Sequence, residues 1–156
     1  MANASLIVCE KSGRWALALR STVRESVRVV ETRALSQAEQ ALRSAPASLV
    51  ALDVAAVKLP QVVDFAIRAR RDYPAARLLA LLDASLESAA PLLREAGVSD
   101  IFYSPLQAAA IARLALQHVL VSPAEDRPLR ESIAARLPWE TWATPGFAAS
   151  ISPPQD

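Results

Sequence analysis

Cysteine, histidine and glycine are all scarce in this chain, and each scarcity removes a class of chemistry. One cysteine, Cys9, excludes an internal disulfide and a thiolate zinc site. One histidine, His118, excludes His-rich metal centres. The 3 glycines, Gly13, Gly97 and Gly146, match neither a dinucleotide fingerprint nor a P-loop. Charge of one sign is also lacking: 17 basic and 16 acidic residues leave a formal charge of +1, so no strong field draws the chain to nucleic acid or an anionic membrane. The first apolar run, Leu6 to Cys9, is too short for a signal-peptide core, and no run reaches the roughly 18 apolar residues of a membrane span. A cytoplasmic protein without nucleic-acid or membrane partners is expected.

What is present suffices for one domain. The 156 residues are 53% hydrophobic and 21% charged, the balance of a folded globular chain. Short apolar runs recur at Leu6–Cys9, Val27–Val30, Ser48–Leu52, Arg77–Leu82 and Ile101–Tyr103, and they read as buried strands. Helical patterns separate them. Ser12 to Val23 carries Trp15, Leu19 and Val23 on one face, with Ser12 as N-cap. Ser36 to Ser44 opens with a Ser36/Glu39 capping box. Pro60 to Tyr73, Leu86 to Ala96 (closed by Gly97 as a left-handed cap) and Gln107 to Val121 complete the set. Five strand–helix alternations predict crossovers, hence a three-layer, doubly wound α/β fold with a five-stranded parallel sheet over residues 1–121.

Residues 122–156 differ. Pro123, Pro128, Pro138, Pro145, Pro153 and Pro154 fall here, as do Trp139, Trp142 and Phe147. Leu129, Ile133 and Leu137 step by four and predict a short amphipathic helix ahead of an aromatic segment. Tryptophan is enriched at binding hot spots, so Leu137, Trp139 and Trp142 are candidate contact residues, for this domain, a partner or a second copy.

In a sheet of this kind, ligands bind at the carboxyl ends of the strands. Three acids stand there: Glu10, Asp53 and Asp83. One reading gives Glu10 and Asp53, with Asp83 as a third candidate, an oxygen-ligated cation such as Mg²⁺. The other makes each acid a helix cap or a solvated loop residue.

At this point the chain resembles the receiver domain of bacterial response regulators, over roughly residues 5 to 120. The carrying segments are Leu6-Ile7-Val8-Cys9-Glu10, Leu49-Val50-Ala51-Leu52-Asp53-Val54, Ala96-Gly97-Val98-Ser99-Asp100 and Ser104-Pro105. The resemblance implies a flavodoxin-like strand order of 2-1-3-4-5 and a phosphoacceptor at Asp53, supplied by a histidine kinase with Mg²⁺. It also exposes departures. The metal-holding acid pair is Cys9-Glu10, so one acid remains. The hydroxyl after the fourth strand is replaced by Asp83, the lysine after the fifth by Ser104, and the aromatic switch position by Ile101. A phosphoryl group adds about −1.5 to −2 charges. Two unit charges about 4 Å apart repel by about 4 kcal/mol at an effective dielectric near 20. Asp83 therefore opposes a stable aspartyl phosphate, and only Lys58 or Lys11 lies near in sequence to substitute for the lost lysine.

The expected function is an atypical receiver-like signalling module that works through protein–protein contact, without catalysis and without normal phosphorylation. Its partner would be a kinase, a downstream effector or a second copy in a homodimer. Two alternatives stay open: a working phosphoacceptor at Asp53 with Mg²⁺, and a small flavodoxin-like cofactor binder. His118 reads as an ordinary helix histidine, Cys9 as a small buried hydrophobe, and Arg68, Arg70 and Arg71 as a solvated face.

Overall fold

The computed structural model describes residues 4–23, 25, 27–54 and 59–121. Five strands and five helices alternate: β1 (Leu6–Cys9), α1 (Arg14–Val23), β2 (Val29–Thr32), α2 (Leu35–Ser44), β3 (Leu49–Asp53), α3 (Leu59–Asp72), β4 (Arg77–Leu81), α4 (Ala90–Ala96), β5 (Val98–Phe102) and α5 (Ala108–Val121). All neighbouring strands pair in parallel, in the order β2-β1-β3-β4-β5. The flavodoxin-like architecture expected from the sequence is the one observed. Among the described residues no helix is long and apolar enough to cross a membrane.

Strand side chains alternate between two cores, which is why the central strands are apolar at every position. Ile7, Cys9, Val50, Leu52, Leu78 and Ala80 join the core under α2, α3 and α4. Leu6, Val8, Leu49, Ala51, Leu79 and Leu81 join the one under α1 and α5. There Trp15 and Leu19 of α1 pack with Ile111 and with the alanines Ala108, Ala112 and Ala115 of α5, whose small side chains leave room for the indole. Val54 N–H donates to Leu81 O at 3.0 Å and Leu82 N–H to Phe102 O at 2.8 Å, so the ladder continues past the strand ends to the carboxyl edge of the sheet.

Several local expectations change, β2 among them: it runs Val29–Thr32 where Val27–Val30 was expected. The segment after β4 is not α-helical from Leu86: a 3₁₀ helix over Ala84–Ala89 precedes α4. Pro91, in the first turn of α4, lacks the N–H an earlier α-helical start would require, and its ring would strike the preceding carbonyls. α5 is likewise preceded by a 3₁₀ turn, Pro105–Gln107. β5 begins at Val98, ahead of Ile101, with a register shift beside Leu78 and Leu79. The polar residues that hid this edge strand from hydropathy are bonded: Arg77 reaches Ser99 Oγ at 3.1 Å and Asp100 Oδ2 at 2.8 Å. Finally, α2 is flanked by Ala34 with no side-chain cap, so the Ser36/Glu39 box does not form. Glu39 instead pairs with Arg43 at 2.9 Å and Arg68 at 3.6 Å.

The expected division at 121/122, the Leu129–Leu137 stripe, Trp139, Trp142 and Lys58 concern or adjoin stretches outside the described residues.

Candidate functional site

The carboxyl edge of the sheet gathers the loops after β1, β4 and β5, which carry Glu10, Asp83 and Ser104, while Asp53 stands at the end of β3 itself. Asp53 closes β3 and is buried, at 5% exposure. Its placement follows from the sequence: four apolar residues of a central strand carry the acid to the edge, where the strand leaves the sheet.

Glu10 follows β1 and is fully buried. Its carboxylate faces the start of α1. Oε2 accepts from Ser12 Oγ at 3.1 Å and from Trp15 N–H at 3.1 Å, and Oε1 accepts from Ala16 N–H at 2.5 Å. Those backbone groups belong to the first turn of the helix, where N–H donors have no partner within it. The negative charge also sits at the positive end of the helix dipole. Glu10 is therefore the acidic cap of α1. Ser12, expected as the N-cap, mainly supports it; its own contact with Arg14 N–H is long, 3.5 Å. Gly13, at φ +78°, is the residue that turns the chain into the helix.

Asp83 is exposed and also caps a helix: its Oδ1 accepts from Ser85 N–H at 3.1 Å. Ser104, after β5, forms a complete capping box. Its Oγ accepts from Leu106 N–H at 3.2 Å, while Gln107 Oε1 accepts from Ser104 N–H at 3.2 Å and from Tyr103 N–H at 2.8 Å. Ile101 is half-buried and packs against the core beneath α4. Lys11 is exposed, and its carbonyl accepts a bond from Arg33.

Cys9 is buried, as expected of a small apolar side chain. Burial pushes its thiol pKa up. The hydrogen bond with Thr32 works against that, and the nearby Asp53 and Glu10 carboxylates add to the rise. A protonated thiol between two acids is a poor metal ligand and a poor nucleophile.

Mg²⁺ takes oxygen ligands in near-octahedral geometry and keeps a strict shell. Of the acids expected to hold it, Glu10 directs both oxygens at hydrogen-bond donors, and Asp83 is bound to its own helix. Among the described residues no group of three His, Cys, Asp or Glu side chains is placed to hold a metal ion. The residues present do not fit the cation that the receiver resemblance implies. Sequence reasoning left open whether Glu10 caps a helix or holds a cation, and the bonds to α1 make it a cap; what it missed is Gln107 in the Ser104 box. The Ser-x-x-Gln spacing carried that signal.

No protein-family model matches the chain, and no curated protein matches it. Solved structures do. A response regulator from Thermotoga maritima aligns at 18% identity and a TM-score of 0.59, over 76% of this chain and 98% of its own. A CheY-like protein (tadZ) from Pseudomonas aeruginosa aligns at 14% identity and 0.62, over 74% and 99%. A pilus assembly-related protein from Burkholderia pseudomallei aligns at 21% identity and 0.62, over 80% and 95%. At these identities the likeness shows the fold, and the fold is that of CheY-like receiver domains.

Proposed function

We propose that this protein is a non-catalytic receiver-like module, with residues 1–121 as the receiver-like domain and residues 122–156 as an extension, and that it acts in signalling by binding another protein without normal phosphorylation of Asp53. The observation that carries this reading is the state of the carboxyl edge. Glu10 and Asp83, which flank Asp53 in a receiver arrangement, are both bonded as helix caps. Ser104, at the position of the counter-charge lysine, is neutral and bonded within its own turn. A new phosphoryl group of about −1.5 to −2 charges would meet carboxylates and no replacement cation among these positions.

Support for a binding role comes from apolar surface. Leu120 and Val121, adjacent in the last turn of α5, are each 75% exposed. Large apolar side chains left in water at this level mark contact surfaces when they cluster with others. Leu137, Trp139 and Trp142 add three apolar candidates from the extension, chosen from composition. The partner is a second protein of the pathway or a second copy of this chain.

Intact-mass analysis after incubation with Mg²⁺ and a small-molecule phosphoryl donor tests the reading, beside an Asp53→Ala control. The expected result is no mass gain in either protein. A phosphate-sized gain that disappears in Asp53→Ala would establish the alternative, a working phosphoacceptor.

A further inference from the structure

We infer that Glu10 is a built-in anchor for the first turn of α1, and that the carboxyl edge of β1 and β3 takes no divalent cation because of it. The inference deepens the proposed function and rests on it for the setting in a receiver fold, but its argument is geometric.

Both carboxylate oxygens of Glu10 meet the positive ends of donors: the Ser12 hydroxyl and the backbone N–H groups of Trp15 and Ala16. Three donors take most of the roughly four lone-pair sites of the carboxylate, and a cation would compete for them. To bind it, the side chain would have to turn away, leaving the first helical turn with two unmet N–H groups beside the buried Trp15. Mg²⁺ also gives up its hydration water reluctantly, and the Glu10 carboxylate is fully buried.

Side-chain length matters to the anchor. Glu10 stands five and six residues before the N–H groups it binds, across the bend at Gly13. An aspartate there would be one methylene shorter, about 1.5 Å. That is enough to break bonds whose useful range is a few tenths of an ångström. The glutamate suits a cap at this distance, and Asp83, across β3 from it, is exposed with its Oδ1 bonded to Ser85 N–H.

Thermal unfolding of the full chain, followed by circular dichroism in EDTA and in about 10 mM MgCl₂, tests this together with calorimetric Mg²⁺ titration. A site with a dissociation constant near 1 mM would raise the midpoint by several degrees under those conditions. The expected shift is under about 1 °C, with no saturable heat. Glu10→Gln should lower the midpoint by several degrees with or without Mg²⁺, because it places an NH₂ against a donor. If that variant does not fold, Ser12→Ala, which removes one of the three donors, should show a smaller drop of the same kind. Saturable Mg²⁺ binding abolished by Asp53→Asn would overturn the inference, as would a Glu10→Gln midpoint equal to that of the unaltered chain. Mg²⁺ binding without phosphate uptake would overturn this inference alone. Phosphate uptake at Asp53 would overturn the functional reading.

Discussion

At Gly97 the backbone turns left-handed, φ +115°, to close α4 and enter β5. A Cβ built there would lie 3.0 Å from Arg70 Cδ, because the arginine stem from α3 packs over the turn. Gly13 is also left-handed, at φ +78°, yet a Cβ there meets nothing nearer than Glu31 Oε1 at 3.6 Å. The two glycines therefore separate backbone strain from crowding. Gly13→Ala should cost about 1 kcal/mol, the price of the left-handed region alone. Gly97→Ala should cost about 2 kcal/mol, since Arg70 must also move. Urea midpoints of the two variants check the order, and equal midpoints would show that Arg70 yields freely. Gly97 was legible in the sequence, since a glycine after an apolar helical pattern and before a strand has one common use. Glu10 was legible only as one of two readings, a cap or a cation ligand. Its partners are five and six residues ahead, beyond any capping-box spacing, and only the bend at Gly13 brings them within reach.

At the scale of elements, one four-residue signature occurs twice and works once. Ser36-x-x-Glu39 and Ser104-x-x-Gln107 both fit a capping box. The second forms completely; the first does not form. Pro105 makes the difference at the second: its fixed φ and missing N–H suit the first helical position, so the turn starts directly after Ser104. At the first, Leu35 already belongs to α2, which puts Ser36 inside the helix, and Glu39 turns to Arg43 and Arg68. Ser104→Ala should therefore destabilise the domain by about 1 kcal/mol, and Ser36→Ala should stay within about 0.5 kcal/mol of the unaltered chain. Denaturant unfolding of both decides it; a larger loss at Ser36 would contradict the assigned helix start. The same logic explains β5. Its polar Ser99 and Asp100 concealed the strand from hydropathy, and their partner Arg77 lies 22 and 23 positions away. Local sequence patterns carry no information on such a pair.

Across the whole molecule, the fold was readable because burial on both faces of a parallel sheet writes continuous apolar strands into the sequence. The site was less so, because a carboxylate at a strand end looks the same whether it faces a cation or caps a helix. Long-range polar ties are the hardest to foresee, and His118 shows why. From α5 its Nε2 lies 2.8 Å from the carbonyl of Ala47, which precedes β3, so the last helix is joined to the opposite edge of the sheet from Asp53. The ring is half-buried. Desolvation lowers its pKa from 6.5, the bond with Ala47 works against that, and the charge of Arg77 adds to the depression. The sign of the linkage follows: between the folded-state pKa and 6.5 the unfolded chain binds more protons, so stability rises with pH across that window and falls as acid is added. Above 6.5 both states are neutral at this site and the contribution is flat. His118 is the chain's 1 histidine, so a single variant isolates the effect. His118→Gln keeps an N–H that can donate to Ala47 and removes the titration. Its urea midpoint should change less than that of the unaltered chain between pH 7.5 and 5.5. Parallel pH profiles for the two proteins would mean that His118 titrates alike in the folded and unfolded states, and that the tie between α5 and β3 is indifferent to its charge.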